Sequence, residues 1–116
     1  MTPPRPNPGK LNPLQLKTLA ILQALAREPD FAHQPEEDGG SIRLHSLPHA
    51  HGNHFHLGAA VVSARDATGL GNPSVLHALA RKGLLKGGPG NAYTLTGAGL
   101  AYDTGIAEQI LQGGDH

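Results

Sequence analysis

The chain has no cysteine and no tryptophan among its 116 residues. Disulfides and thiolate metal ligands are therefore excluded, and His, Asp and Glu remain as candidate ligands. Only two Tyr and two Phe are present, so the core must be small and mainly aliphatic. Apolar runs stay well below the roughly 20 residues that span a bilayer. The N-terminal MTPPRPNPGK lacks the apolar region of a signal peptide, so we expect a cytoplasmic protein without membrane contact.

The chain also lacks net charge, because nine Lys and Arg balance nine Asp and Glu. Strong nucleic-acid binders usually carry a basic excess, but these charges are distributed unevenly. Segment 28–38 is acidic, whereas segment 60–95 has a net charge of +3. Because phosphate attraction depends on local charge, segment 60–95 is a candidate nucleic-acid surface. Its charged residues are Arg65, Asp66, Arg81, Lys82 and Lys86.

Signals for catalysis are absent as well. The serines stand in no nucleophile motif, and GGPGN at 87–91 lacks the Lys-Ser/Thr that follows a phosphate-binding loop. We therefore expect a binding protein rather than an enzyme.

Glycine (16) and proline (10) are abundant, so the ordered elements should be short. The length is that of one domain. We predict a disordered arm at 1–10, a domain at 11–112 and a frayed tail at 113–116.

The first helix is marked by Asn12 as N-cap, Pro13 at the first helical position and Gln15 in a capping box. Leucines at helical spacing then predict a helix to about Arg27.

A second helix is predicted from Gly58 to Thr68, with Gly69 as its left-handed C-terminal residue. Asn72-Pro73 repeats the cap-plus-proline signal and begins a third helix, which Gly83 ends. The third helix should bury Val75, Leu76 and Leu79. Its opposite face should carry Ser74, His77, Ala78 and Arg81.

Leu84-Leu85 begins a strand, 86–91 is a turn or wing, and Tyr93 and Leu95 lie in the returning strand. Thr96 should then cap a last helix that runs to about Leu111.

Three segments, ARDATGL (64–70), VLHALARKGLL (75–85) and YTLTGAG (93–99), resemble the winged helix-turn-helix regulators of the MarR and ArsR types. In those families a helix ends in A-x-x-x-G-L, the recognition helix closes in a K-G-L-type end, and the wing returns as Y-x-L-T-x-x-G. The resemblance implies a mainly α fold with a small β-sheet. It also implies a homodimer, for which helices 12–27 and 97–111 are the candidate interfaces.

The resemblance implies a transcriptional regulator that binds double-stranded DNA, with the third helix in the major groove. Ser74 and His77 would lie nearest the base edges. Phosphate contacts would come from Arg65 and Thr68 on the second helix, Arg81 and Lys82 on the third, and Lys86 and Asn91 in the wing. The alternative is a winged-helix module that binds proteins, which the neutral net charge and the short recognition helix favour.

Five histidines stand within twelve residues, in an expected β-hairpin or loop over 41–57 with Gly52-Asn53 at its turn. Histidines two apart in a strand share a side, and neutral imidazole suits Zn, Ni or Cu. The sequence establishes no cofactor, but Zn or Ni would fit and would make the regulator metal-responsive. A surface loop with incidental affinity and a pH switch are the alternatives. The candidate ligands are His45, His49, His51, His54 and His56.

Overall fold

The structure is a computed structural model that describes residues 9–28, 31–32, 40–44, 52–57, 60–87, 93–106 and 110–113. These residues form an α+β domain. In chain order its elements are α1 (Pro13–Leu25), β1 (Ile42–Leu44), β2 (His54–Leu57), β3 (Ala60–Ser63), a 3-10 segment (Ala64–Gly71), α2 (Pro73–Arg81), β4 (Leu85–Gly87), β5 (Tyr93–Leu95), α3 (Gly97–Ala101) and β6 (Gln112–Gly113). The expected arm up to residue 8 lies outside the described residues.

Helix α1 is the centre of the core. Its N-terminus is capped as predicted: Gln15 N–H donates to Asn12 Oδ1 at 2.8 Å, and Asn12 N–H donates to Gln15 Oε1 at 3.0 Å. Every residue from Thr18 to Gln23 is buried, because the helix contacts the 3-10 segment, α2 and α3. Its apolar residues therefore pack into the core of their own chain. Among the described residues, no helix is long and apolar enough to cross a membrane.

The strands form two small antiparallel sheets. One has the order β1-β5-β4. Leu95 of the central strand β5 stands opposite Ile42 of β1 on one side and Leu85 of β4 on the other. The other has the order β2-β3-β6. The described residues thus contain more β-structure than expected for a mainly α fold. Leu95 is fully buried and joins the first sheet to the core.

Of the β-hairpin or loop predicted over 41–57, the hairpin is wrong in its pairing. β1 and β2 lie in different sheets, and β2 pairs instead with β3, with Phe55 opposite Val62 and Leu57 opposite Ala60. Gly52, at φ +67°, lies in the turn that precedes β2. Leu57 and Val62 are almost fully buried, so one side of the hairpin formed by β2 and β3 faces the core.

The second helix predicted from Gly58 to Thr68 is also wrong. Residues Ala60–Ser63 are a strand, and the helical part is a 3-10 segment, Ala64–Gly71. The β-branched pair Val61-Val62 favours a strand. Ser63 then begins the 3-10 segment, because its Oγ accepts from Arg65 N–H at 3.3 Å.

Gly69 is buried but does not have the predicted left-handed conformation. A Cβ at this position would overlap Thr18 Oγ1. Glycine is thus required at position 69 because the 3-10 segment lies directly against α1.

Helix α2 begins at Asn72-Pro73 as predicted, with Asn72 Oδ1 accepting from Ser74 N–H at 3.0 Å. It ends in a Schellman motif around Gly83, at φ +76°: Leu84 N–H donates to Leu79 O and Gly83 N–H to Ala80 O. The prediction that Ala78 faces outward is wrong. It is buried together with Val75, Leu76 and Leu79, since α2 packs against α1, the 3-10 segment and β4.

Thr96 caps α3 as predicted, and its Oγ1 accepts from Gly99 N–H at 3.0 Å. The helix ends at Ala101, however, and not near Leu111, because Tyr102 is extended. Asp103 Oδ1 then accepts from Gly105 N–H at 3.1 Å, and Gly105 has φ +74°. This turn prevents continuation of the helix.

Candidate nucleic-acid interface and histidine pair

The outer side of α2 presents a row of three exposed side chains, Ser74, His77 and Arg81. Their spacing of three and four residues places them on one side of the helix. We call these three residues the α2 row. The row follows from local sequence, because the apolar positions of α2 are buried and leave only this side to solvent.

Lys82, directly after the helix, has a structural contact that the sequence did not indicate. Its Nζ donates to Gly9 O at 2.6 Å, and Gly9 N–H donates to the Tyr102 hydroxyl at 3.0 Å. The start of the domain is thereby held against the C-terminal end of α2. Lys82 remains exposed, so its charge adds to that of Arg81 beside it.

The 3-10 segment carries Arg65 and Thr68, both exposed. Between them, Asp66 forms an ion pair with Lys17 of α1, with Nζ and Oδ1 2.9 Å apart. Asp66 is the acid that reduces the charge of segment 60–95. Its pairing with Lys17 places a base directly beside this acid.

Lys86 lies exposed on β4, where it stands opposite Thr94 of β5. Asn91, the other residue predicted to act from the wing, lies outside the described residues. Helix α2, which carries the α2 row, packs against β4, which carries Lys86.

Two of the five clustered histidines are described, and they form a pair on β2. His54 Nε2 and His56 Nε2 are 3.2 Å apart, with ring centroids 4.8 Å apart and ring planes at 78°. The expectation that histidines two apart share one side is met here. His45, His49 and His51 lie outside the described residues. Within the described part of the chain, no group of three or more His, Asp or Glu residues is placed to hold a metal ion.

Lys17 is a charged residue whose ion pair with Asp66 the sequence did not indicate. Its partner Asp66 is far away in the chain, and no local pattern links an α1 lysine to a later acid. Only the packing of α1 against the 3-10 segment brings the two together.

Comparisons of the chain with protein-family models, with curated proteins and with solved structures found no match. Any assignment of function therefore depends on the geometry and charge of this chain.

Proposed function

We propose that the protein is a winged-helix transcriptional regulator that binds double-stranded DNA. In this proposal α2 is the recognition helix and the β4–β5 connection is the wing. The strand order β1-β5-β4 supports it, because β1 supplies the short strand that winged helices often have before the second helix. In this proposal the 3-10 segment replaces the second helix of a winged helix, and it contacts both α1 and α2.

The observation that carries the proposal is the α2 row. A nine-residue helix is about 13 Å long, so it offers little more than two turns to a groove. Ser74 and His77 supply hydrogen-bonding groups for base edges, and Arg81 supplies a cation for phosphate. All three are exposed on a helix whose other side is buried.

Local charge supports the proposal as well. Segment 60–95, which includes Asp66, has a net charge of +3. Adding Lys17, the partner of Asp66 from α1, raises the net charge to +4. Arg65, Arg81 and Lys86 are each exposed. In this proposal Arg65, Arg81 and Lys86 contact phosphates, and Thr68, Lys82 and Asn91 remain proposed backbone contacts.

The test is the salt dependence of duplex binding. We expect the Arg81→Ala/Lys86→Ala variant to bind a fluorescein-labelled mixed-sequence duplex more weakly in low salt, measured by anisotropy. Its plot of log K against log salt should be shallower by about two, since each lost phosphate contact removes roughly one unit. Arg27→Ala is the matched control, because Arg27 is an exposed base just after the C-terminal end of α1.

Wild-type protein that shows no salt-sensitive duplex binding would contradict the proposal. An equal loss in Arg27→Ala would show that overall charge, and not this surface, governs binding.

A second candidate is a winged-helix module that binds another protein. Arg81 is the single cation in the α2 row, and the whole chain is neutral. Folded protein without duplex affinity would favour this function. Homodimerisation stays a prediction, although the burial of α1 in its own core disfavours that helix as the interface.

A further inference from the structure

The histidine pair of β2 lies on the side of the strand away from the core. His54 is half-buried and His56 is exposed, whereas Leu57, which follows His56 and points to the other side of the strand, is buried. Across the hairpin, His54 stands opposite Ser63 and His56 opposite Val61. Residues two apart in a strand point to one side, so the strand itself fixes the two imidazoles next to each other.

The separation of the two nitrogens suits a shared metal ion. Zn–N bonds are about 2.0–2.1 Å long, so two nitrogens on a tetrahedral ion lie about 3.3–3.4 Å apart, and at a right angle about 2.9 Å apart. The observed distance between the Nε2 atoms, 3.2 Å, lies between these values.

Asn53 bears on which nitrogen of His54 carries the proton. Its Oδ1 can only accept, and it lies 3.5 Å from His54 Nδ1, so His54 can donate to it in the tautomer that carries the proton on Nδ1. The lone pair of His54 is then on Nε2, the atom that faces His56. Metal-binding histidines commonly donate their other N–H to such an oxygen.

We propose that His54 Nε2 and His56 Nε2 together bind one divalent transition-metal ion. Two neutral nitrogen ligands suit Zn, Ni or Cu(II), whereas Ca and Mg require oxygen ligands. The site lies on β2 and the proposed DNA surface on α2 and β4, so the metal site does not rest on DNA binding.

The experiment is isothermal titration of the full chain with ZnCl₂ and, separately, NiCl₂, in the absence of DNA. His54→Ala and His56→Ala should each weaken binding at least about tenfold, because the second imidazole of a chelate binds at high effective concentration. His77→Ala is the matched control, since it removes an exposed histidine from another element, and we expect its affinity to match wild type.

Binding by the wild-type chain that is unchanged in His54→Ala/His56→Ala would overturn the proposal, as would the absence of binding. The pair would then be only a hydrogen bond between imidazoles. Nuclear magnetic resonance of the wild type gives a measurement that needs no variant. The ring signals of His54 and His56 should shift at substoichiometric zinc while those of His77 do not, and the opposite pattern would also refute the site.

Discussion

Replacing Gly69 by alanine tests the contact that places the 3-10 segment against α1. The new Cβ would overlap Thr18 Oγ1 and would lie 3.1 Å from Thr18 Cβ. Thr18 has no exposed surface, and its Oγ1 donates to Leu14 O at 2.8 Å. The side chain therefore cannot turn away without losing that hydrogen bond or displacing its neighbours.

The magnitude follows from these contacts. Overpacking of a core costs about 1–3 kcal/mol, and a lost hydrogen bond costs about 1 kcal/mol more. The smaller conformational freedom of alanine in the unfolded chain offsets about 0.4–1 kcal/mol of this. We expect the free energy of unfolding to fall by about 1–3 kcal/mol. Urea denaturation followed by circular dichroism would measure the fall.

Gly71→Ala is the matched control, because it lies in the same segment and a Cβ there meets nothing within 4 Å. Its stability should equal or slightly exceed that of the wild type. In a Thr18→Ala background the penalty of Gly69→Ala should shrink by about 1 kcal/mol or more, as coupled neighbours do in a double-mutant cycle. Thr18→Val keeps a γ-carbon in place of Oγ1 and should give no relief. If Gly69→Ala costs no more than Gly71→Ala, or costs the same in the Thr18→Ala background as in the wild type, the steric explanation fails.

Two further substitutions test the junction between α1, α3 and β4. Gly99→Ala should lower the urea midpoint more than Gly69→Ala, because its Cβ would overlap the backbone oxygen of Leu84, which cannot rotate away. Gly87→Ala is the control and should have little effect, since a Cβ there lies in open space. Similar midpoints for Gly99→Ala and Gly87→Ala would contradict this prediction. Gln23→Leu should lower the free energy of unfolding by about 1–3 kcal/mol, since Gln23 Nε2 donates to Gly99 O at 2.8 Å and to Tyr102 O at 2.7 Å. A urea midpoint equal to that of the wild type would show that these two hydrogen bonds make no net contribution to stability.

Elements with local signals were predictable from the sequence. The caps at Asn12, Asn72 and Thr96 each make the hydrogen bond that their side chains suggest, and Gly83 ends α2. A cap depends on a few adjacent residues, so its energy can be judged without knowledge of the rest of the fold.

The region from Gly52 to Gly71 could not be predicted in the same way. Alanines and valines at 59–62 fit a helix or a strand, and the outcome depends on β2 and β6, between which β3 lies. The pairing of Lys17 with Asp66 and the contact of Gly69 with Thr18 likewise depend on distant parts of the chain. Such interactions leave no periodicity in the sequence.

The Y-x-L-T-x-x-G segment has a structural role in this chain that does not distinguish between the two proposed functions. Leu95 is fully buried, Thr96 Oγ1 donates to Gly83 O at 2.7 Å, and Gly99 lies against Leu84. These residues thus join β5 and α3 to the end of α2. A chain that binds protein and a chain that binds DNA would need the same junction. The distinction between the two functions therefore falls on side chains that the fold does not require, above all Arg81 in the α2 row.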